Sequence, residues 1–204
     1  MFHGTPLITR ESTIDKNICD VLITHPFFTT KVFEDQNYFI SNGVSNNQYD
    51  DVLIKFLDDE GMSYKDRMVE YWFQGKTTGE NLEAHCDYNH HVRSLPHFSP
   101  HEWLNTEKED NFLSPITIAA YIDVSDDLDG GELCISHVSW KDRSPHTHAS
   151  IDELISYPYE MHKPVLHRVV YFHGSNNFHW INEVKAGIRK SVLINFWPLD
   201  YQDV

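Results

Sequence analysis

The chain has little that would tie it to an oxidising compartment, a membrane or a nucleic acid. It has only three cysteines, Cys19, Cys86 and Cys134, in 204 residues. They form no CxxC pair and are too few and too widely spaced for a disulfide framework. No Asn-x-Ser/Thr acceptor occurs. The opening MFHGTPLITRES lacks a charged stretch followed by an apolar one, so no secretory signal is expected and a reducing cytoplasm is the expected home. No run of about 18 apolar residues exists, so no spanning helix is expected. Basic residues are scarce as well: 16 Lys+Arg stand against 31 Asp+Glu, a formal charge of −15. Such a surface repels phosphate backbones. Nucleic acid is therefore a disfavoured partner unless Lys141, Arg143, Lys163, Arg168, Lys185 and Lys190 build a local basic groove. Repeats on the scale of roughly 20–50 residues and low-complexity tracts are also missing, which excludes solenoids and linkers.

What is present is an ordinary globular composition, 40% hydrophobic and 13% aromatic, sufficient for a core without disulfides. Ile14, Ile18, Val21 and Leu22 recur at helical spacing after Ser12, a candidate N-cap. Residues 49–60 place Val52, Leu53, Phe56 and Leu57 on one stripe that stops at Gly61. From Met68 onward the texture changes to short extended runs at 68–74, 82–87, 116–124, 132–138, 165–173 and 188–197. Asp129-Gly130-Gly131 between two of these predicts a hairpin turn, because Gly supplies the positive φ such turns require; Lys185-Ala186-Gly187 reads the same way. Ser150-Ile-Asp-Glu153 spells a capping box, so one short helix is expected inside the long 139–164 connection. Many short strands and few helices predict a mainly β sandwich or barrel.

Fourteen His in a chain of this length point toward chemistry. His85-Cys86-Asp87 ends a strand-like run, and on an extended chain His85 and Asp87 share a face while Cys86 points away. With 14 His and 18 Asp, chance alone supplies about one His-x-Asp, so the triplet by itself carries almost nothing. The far end of the chain adds weight. His179 closes a polar turn, Gly174 to Phe178, and the last strand follows it. On that strand Arg189, Ser191, Leu193, Asn195 and Trp197 occupy one face, and Ile188, Val192, Ile194 and Phe196 the other. An Arg heading an inward face needs an anionic partner, and its planar fork suits a carboxylate, with the Ser191 hydroxyl beside it. Two His and one acid are the facial set diagnostic of non-haem Fe(II) oxygenases.

The order His85-x-Asp87, then Asp129-Gly130-Gly131-Glu132-Leu133, then His179-x-Ile181-x-x-Val184-x-x-Gly187-x-Arg189-x-Ser191 resembles the Fe(II)- and 2-oxoglutarate-dependent oxygenases, most closely the prolyl 4-hydroxylase type. The resemblance covers about residues 68–197, and its specific part is the C-terminal string. One departure is Glu183, where that branch usually has Pro. The resemblance implies one domain over 1–204, with a helical N-terminal part to about residue 65 and a double-stranded β-helix (jelly roll, cupin-like) over about 66–200. It implies Fe(II) at His85, Asp87 and His179. It also implies 2-oxoglutarate with its C5 carboxylate on Arg189, Ser191 beside it, and Tyr121 supplying a second hydrogen bond. O2 would be the oxidant, with ascorbate a further candidate cofactor. The reaction implied is hydroxylation of a C–H bond coupled to release of succinate and CO2; Asp87 favours this over halogenation, since related halogenases vacate that position.

Alternatives remain at this level. Tyr121 is as readily a packing aromatic. A cupin-like Zn or Mn protein, an isomerase or sugar-binding module, would need no dicarboxylate clamp, and a metal-free interaction domain would leave all three ligands incidental. For Asn89, His90, His91, Arg93 and His97 a solvated loop is favoured over a lining of the site mouth, and His146 with His148 make a second His pair only on a generous reading. The prime substrate, a prolyl or other side chain or a small molecule, is not readable, nor is the oligomeric state. Specificity is expected to lie in 88–112 and 139–164.

Overall fold

The central strands are apolar on both faces because they lie between other layers. The computed structural model describes residues 9–29, 37–41, 43–62, 64–65, 67–87, 116–139, 150–174 and 177–198. In chain order the strands are β1 (Arg10–Thr13), β2 (Tyr38–Ser41), β3 (Arg67–Thr77), β4 (Leu82–His85), β5 (Thr117–Val124), β6 (Asp129–Gly130), β7 (Leu133–Ser139), β8 (Tyr159–His162), β9 (Arg168–Phe172), β10 (Asn177–Ile181), β11 (Val184–Ala186) and β12 (Ile188–Pro198). The helices are α1 (Lys16–Leu22), α2 (Pro26–Thr29), α3 (Gln48–Asp59) and α4 (Ile151–Leu154).

A six-stranded sheet runs β1-β9-β5-β12-β3-β2 and a four-stranded sheet β4-β10-β7-β8. From β3 on, the chain crosses from one sheet to the other between most successive strands, which is the winding of a double-stranded β-helix. Alternation then sorts the side chains into layers. Ile118, Ala120, Val192, Ile194 and Phe73 leave one face of the large sheet and pack on Ile18, Leu22, Leu53, Phe56 and Leu57 of α1 and α3. Ala119, Tyr121, Val170 and Phe172 leave its other face and meet Leu133 and Ile135 of the small sheet. Ala84, Cys134, Phe178 and Trp180 cover the outer face of the small sheet under Leu154 of α4. No helix among the described residues is long and apolar enough to cross a membrane.

Several local expectations are corrected. Asp15, not Ser12, caps α1, its side chain accepting from the Asn17 N–H; Ser12 lies in β1 and its hydroxyl donates to Glu60 Oε1. The strand expected from 165 begins at Arg168, because His167 takes a left-handed φ of 69° and breaks the extended run. The first 65 residues contribute strands β1 and β2 as well as helices, and the 139–164 connection holds β8 besides the expected α4. Asp129-Gly130-Gly131 is not a hairpin between its flanking strands: β5 and β7 belong to different sheets, and Asp129–Gly130 pairs instead with Val184–Ala186. The glycines serve close approach. A Cβ on Gly130 would overlap the Glu183 carbonyl, and one on Gly131 would sit 3.1 Å from Arg189 Cδ.

Candidate metal centre and the pocket beside it

Strand pairing brings the two halves of the His/Asp set together. His85 and His179 are register partners on β4 and β10, so residues 94 apart in sequence face each other on one rung. Their rings lie 4.3 Å apart, and Phe172 packs edge-on against His179 at 4.9 Å. His179 is buried within β10 rather than at the end of a polar turn. The correction has a physical cause. Phe178 and Trp180 bury outward in the small sheet's cover, which forces Asn177, His179 and Ile181 inward on an extended chain. Cys86 likewise points away from the site into that outer cluster, and burial, then the neighbouring Asp87 charge, pushes its thiol pKa well up.

The three side chains converge. One ligand atom from each of His85, Asp87 and His179 lies within 4.8 Å of the others. Asp87 Oδ1 is 3.4 Å from His179 Nε2 and 3.7 Å from His85 Nε2. Both imidazoles turn Nδ1 to a backbone carbonyl, His85 to Glu83 at 2.8 Å and His179 to Asn177 at 3.2 Å. An Nδ1–H donor leaves each Nε2 with its lone pair facing Asp87, the tautomer a metal ligand needs. Donor atoms about 2.1 Å from one ion stand roughly 3.0–3.5 Å apart, a spacing that Asp87 Oδ1 and His179 Nε2 already have, while His85 Nε2 lies slightly beyond it.

Asp87 is held as a one-handed ligand. Its N–H donates to the Gly174 carbonyl at 2.9 Å, and Thr117 Oγ1 donates to Oδ2 at 2.7 Å. Thr117 Oγ1 also lies 2.7 Å from the Asn195 side-chain amide; a hydroxyl carries one proton, so that amide presents its NH2 end. Gly174 leaves the space for this cradle, since a Cβ there would overlap both Thr117 Oγ1 and Asp87 Oδ2. Burial works to raise the Asp87 pKa. When the imidazoles carry a second proton in the metal-free protein, His179 foremost and then His85, with the Thr117 hydroxyl, more than offset it and hold the carboxyl well below its ordinary range.

The inward face of the large sheet also carries a cluster of buried polar atoms with unmet hydrogen bonds. Arg189 is 2% exposed and has no carboxylate partner among the described residues. Its Nη1 donates to the Gly131 carbonyl at 2.9 Å and its Nη2 to Ser191 Oγ at 3.1 Å, while Nε has no partner. The guanidinium carbon lies 4.9 Å from the Tyr121 ring centroid, and Tyr121 Oη, fully buried, is also unpartnered. Burial pushes the Arg189 pKa down and the Tyr121 pKa up. Gln74, a register partner of Ser191, which also pairs with Tyr121, adds a third orphan in its Oε1. A buried guanidinium with no acid partner among the described residues, beside an open phenol hydroxyl, offers donors that suit an anion; Gln74 Oε1, an acceptor, does not add to them.

Of the six residues singled out from sequence, Asp87, His179, Arg189, Ser191 and Tyr121 are buried and His85 is half-buried; His85 and His179 share a rung, and Asp87 follows two residues past the end of β4. Sequence reasoning missed Thr117, Asn195, Gly174 and Gln74. Alternation puts Asn195 on the Arg189 face, as read above, and by the same rule puts Thr117 on the face of Tyr121; no spacing signal marks Gln74 or Gly174. Asn89, His90, His91, Arg93, His97, His146 and His148 lie outside the described residues, as do Lys141 and Arg143 of the supposed basic groove. Of the remaining groove residues, Lys190 pairs with Asp123 at 2.9 Å and Arg168 with Glu11 at 3.7 Å.

No protein-family model and no curated protein matches the chain. Solved structures do resemble it. A prolyl-4-hydroxylase from Pseudomonas putida shares 12% identity at a TM-score of 0.53, over 95% of this chain and 86% of that one. A viral collagen prolyl hydroxylase from Paramecium bursaria Chlorella virus 1 shares 13% at 0.54, over 93% and 90%. HygX from Streptomyces hygroscopicus, with nickel and 2-oxoglutarate bound, shares 12% at 0.54, over 97% and 84%. At these identities the likeness is one of fold: the chain has the double-stranded β-helix found in 2-oxoglutarate oxygenases.

Proposed function

We propose that the protein is an Fe(II)- and 2-oxoglutarate-dependent oxygenase of the prolyl 4-hydroxylase-like branch, hydroxylating a C–H bond of a peptide side chain or small molecule. The observation that carries this reading is the pairing of two features in one interior. A two-His, one-carboxylate cluster stands beside a buried guanidinium that has no acid partner. A cupin-like isomerase or sugar-binding protein would have the first but no use for the second.

In this reading His85, Asp87 and His179 hold Fe(II) through the two Nε2 atoms and Asp87 Oδ1. Arg189 receives the C5 carboxylate of 2-oxoglutarate, with Ser191 and Tyr121 Oη as hydrogen-bond donors. When bound, the iron and 2-oxoglutarate supply the oxidising chemistry, consuming O2 and releasing succinate and CO2. The chain's own work is orientation and exclusion of water. Carbonyls of Glu83 and Asn177 fix the imidazole tautomers. Thr117 occupies Asp87 Oδ2, so that only Oδ1 faces the metal position. Phe172, Ala119 and Ile135 line the interior with apolar surface, which strengthens the Arg189–carboxylate pairing by lowering the local dielectric.

The test is 2-oxoglutarate turnover, followed as succinate release, in His85→Ala, Asp87→Ala and His179→Ala. Each variant is expected to keep its far-ultraviolet circular dichroism and to lose turnover by at least about 100-fold. Wild-type turnover in all three variants would remove the ligand assignment.

A further inference from the structure

The inward face of the large sheet carries a second polar rung beside the metal cluster, and its outer member is unexplained by the reading above. Glu70, Asn195 and Thr117 are register partners across β3, β12 and β5. Thr117 holds Asp87, so Glu70 lies two strands, about 10 Å, from the residue that fixes a metal ligand. Glu70 is 2% exposed. Its Oε1 accepts from Asn37 Nδ2 at 2.7 Å and its Oε2 from Trp197 Nε1 at 2.6 Å. Trp Nε1–H can only donate, and a donor aimed at each oxygen is the environment of an ionised carboxylate. Each oxygen keeps a further lone pair. No Lys, Arg or His among the described residues stands within ion-pair distance of it. Burial foremost, and the Asp87 charge, push the Glu70 pKa up, against the two hydrogen bonds that lower it.

Charge balance makes the gap specific. A divalent ion, the Asp87 carboxylate, a 2-oxoglutarate dianion and the Arg189 guanidinium cancel. Glu70 is left as a negative charge in the same interior, with only the neutral donors Asn37 and Trp197 on it among the described residues. Desolvating such a group is unfavourable unless a cation completes the pair. The strongly acidic chain also draws cations toward its openings. Its position on the rung of Asn195 and Thr117, rather than on that of Arg189, separates it from the proposed 2-oxoglutarate site.

We propose that Glu70 selects the prime substrate, and that the substrate carries an organic cation, an ammonium or guanidinium group, that pairs with the Glu70 carboxylate while its C–H bond lies at the metal. This rests on the oxygenase reading. Trp197 and Asn37 aim the carboxylate, and Asn195 stands between it and the metal ligand as a neutral spacer.

The experiment is a thermal melt of protein loaded with nickel and 2-oxoglutarate, with matched probes at constant ionic strength. The cations n-butylguanidinium and n-butylammonium are compared with the neutral isosteres n-butylurea and n-butanol. The expected result is a rise of at least about 2 °C with the cations only, lost in Glu70→Gln, which retains the rise produced by nickel and 2-oxoglutarate. Cations and neutral isosteres acting alike on wild type would overturn the inference, as would an equal cation effect in Glu70→Gln. The wild-type comparison decides alone if the variant does not fold. Absence of any rise with nickel and 2-oxoglutarate in wild type would sink the oxygenase reading itself, and this inference with it; their rise without a cation effect removes only the inference.

Discussion

Thr117 Oγ1 donates to Asp87 Oδ2 across 2.7 Å, with both side chains buried. The contact assigns the two carboxylate oxygens different tasks, since Oδ1 faces both imidazole Nε2 atoms. Partners of this kind commonly change metal affinity by about 10–100-fold. Thr117→Val keeps the shape and removes the donor. Calorimetric titration with nickel should show weaker binding by at least about 10-fold, with unchanged circular dichroism. Unchanged affinity would mean that Thr117 only fills space.

Gly174 tests the same cradle from the backbone side. A Cβ there meets Thr117 Oγ1 and Asp87 Oδ2 at once, and neither can retreat without breaking the contact between them. Gly174→Ala should lower the melting temperature, by about 1–3 kcal/mol of stability, and lose nickel binding together with it. A variant with wild-type melting and wild-type affinity would contradict the geometry.

Arg189 should show opposite effects on stability and on binding. Its charge is buried without a counter-ion, so Arg189→Met removes a desolvation penalty from the ligand-free protein. Ligand-free Arg189→Met is expected to melt at least about 2 °C higher than wild type, while nickel-loaded variant loses the stabilisation that 2-oxoglutarate gives. Arg189→Lys keeps the charge without the fork and should bind 2-oxoglutarate with an affinity between the two. Loss of stability in Arg189→Met with normal 2-oxoglutarate binding would refute the anion-pocket assignment.

Cys19 and Cys134 are buried, and burial first, then nearby acidic groups, pushes each thiol up to about 12. A pKa raised on folding means that the unfolded chain releases these protons first. Their stabilising contribution is therefore complete below the unfolded thiol value near about 8.5 and is lost as pH rises toward 12. Denaturant midpoints should fall steadily from about pH 9 upward, and Cys19→Ala/Cys134→Ala protein should show a shallower fall. In the folded protein at pH 8 neither thiol should react with an alkylating reagent.

Much of the site was legible in the sequence, because alternation on an extended chain is a strong rule. His85 with Asp87, and Arg189 with Ser191, needed only strand periodicity to be placed on shared faces. The placement of His179 was less legible. Sequence showed it beside polar residues and suggested a turn, whereas two buried aromatics, Phe178 and Trp180, decide that it lies within a strand. The pairing of Asp129-Gly130 with Val184–Ala186 was hidden for a different reason. Adjacent strands with a Gly-Gly between them look like a hairpin, and only the division of β5 and β7 between two sheets shows otherwise. Thr117 and Gly174 act through contacts with Asp87 on the opposite side of the interior, which no local pattern records.

The most direct measurement is the visible absorption of anaerobic Fe(II)-loaded protein titrated with 2-oxoglutarate. The account predicts a weak charge-transfer band that saturates at one equivalent, is missing in Asp87→Ala and His179→Ala, and needs far more 2-oxoglutarate in Arg189→Ala. No band in the wild-type protein, or the same band in all four, would contradict it.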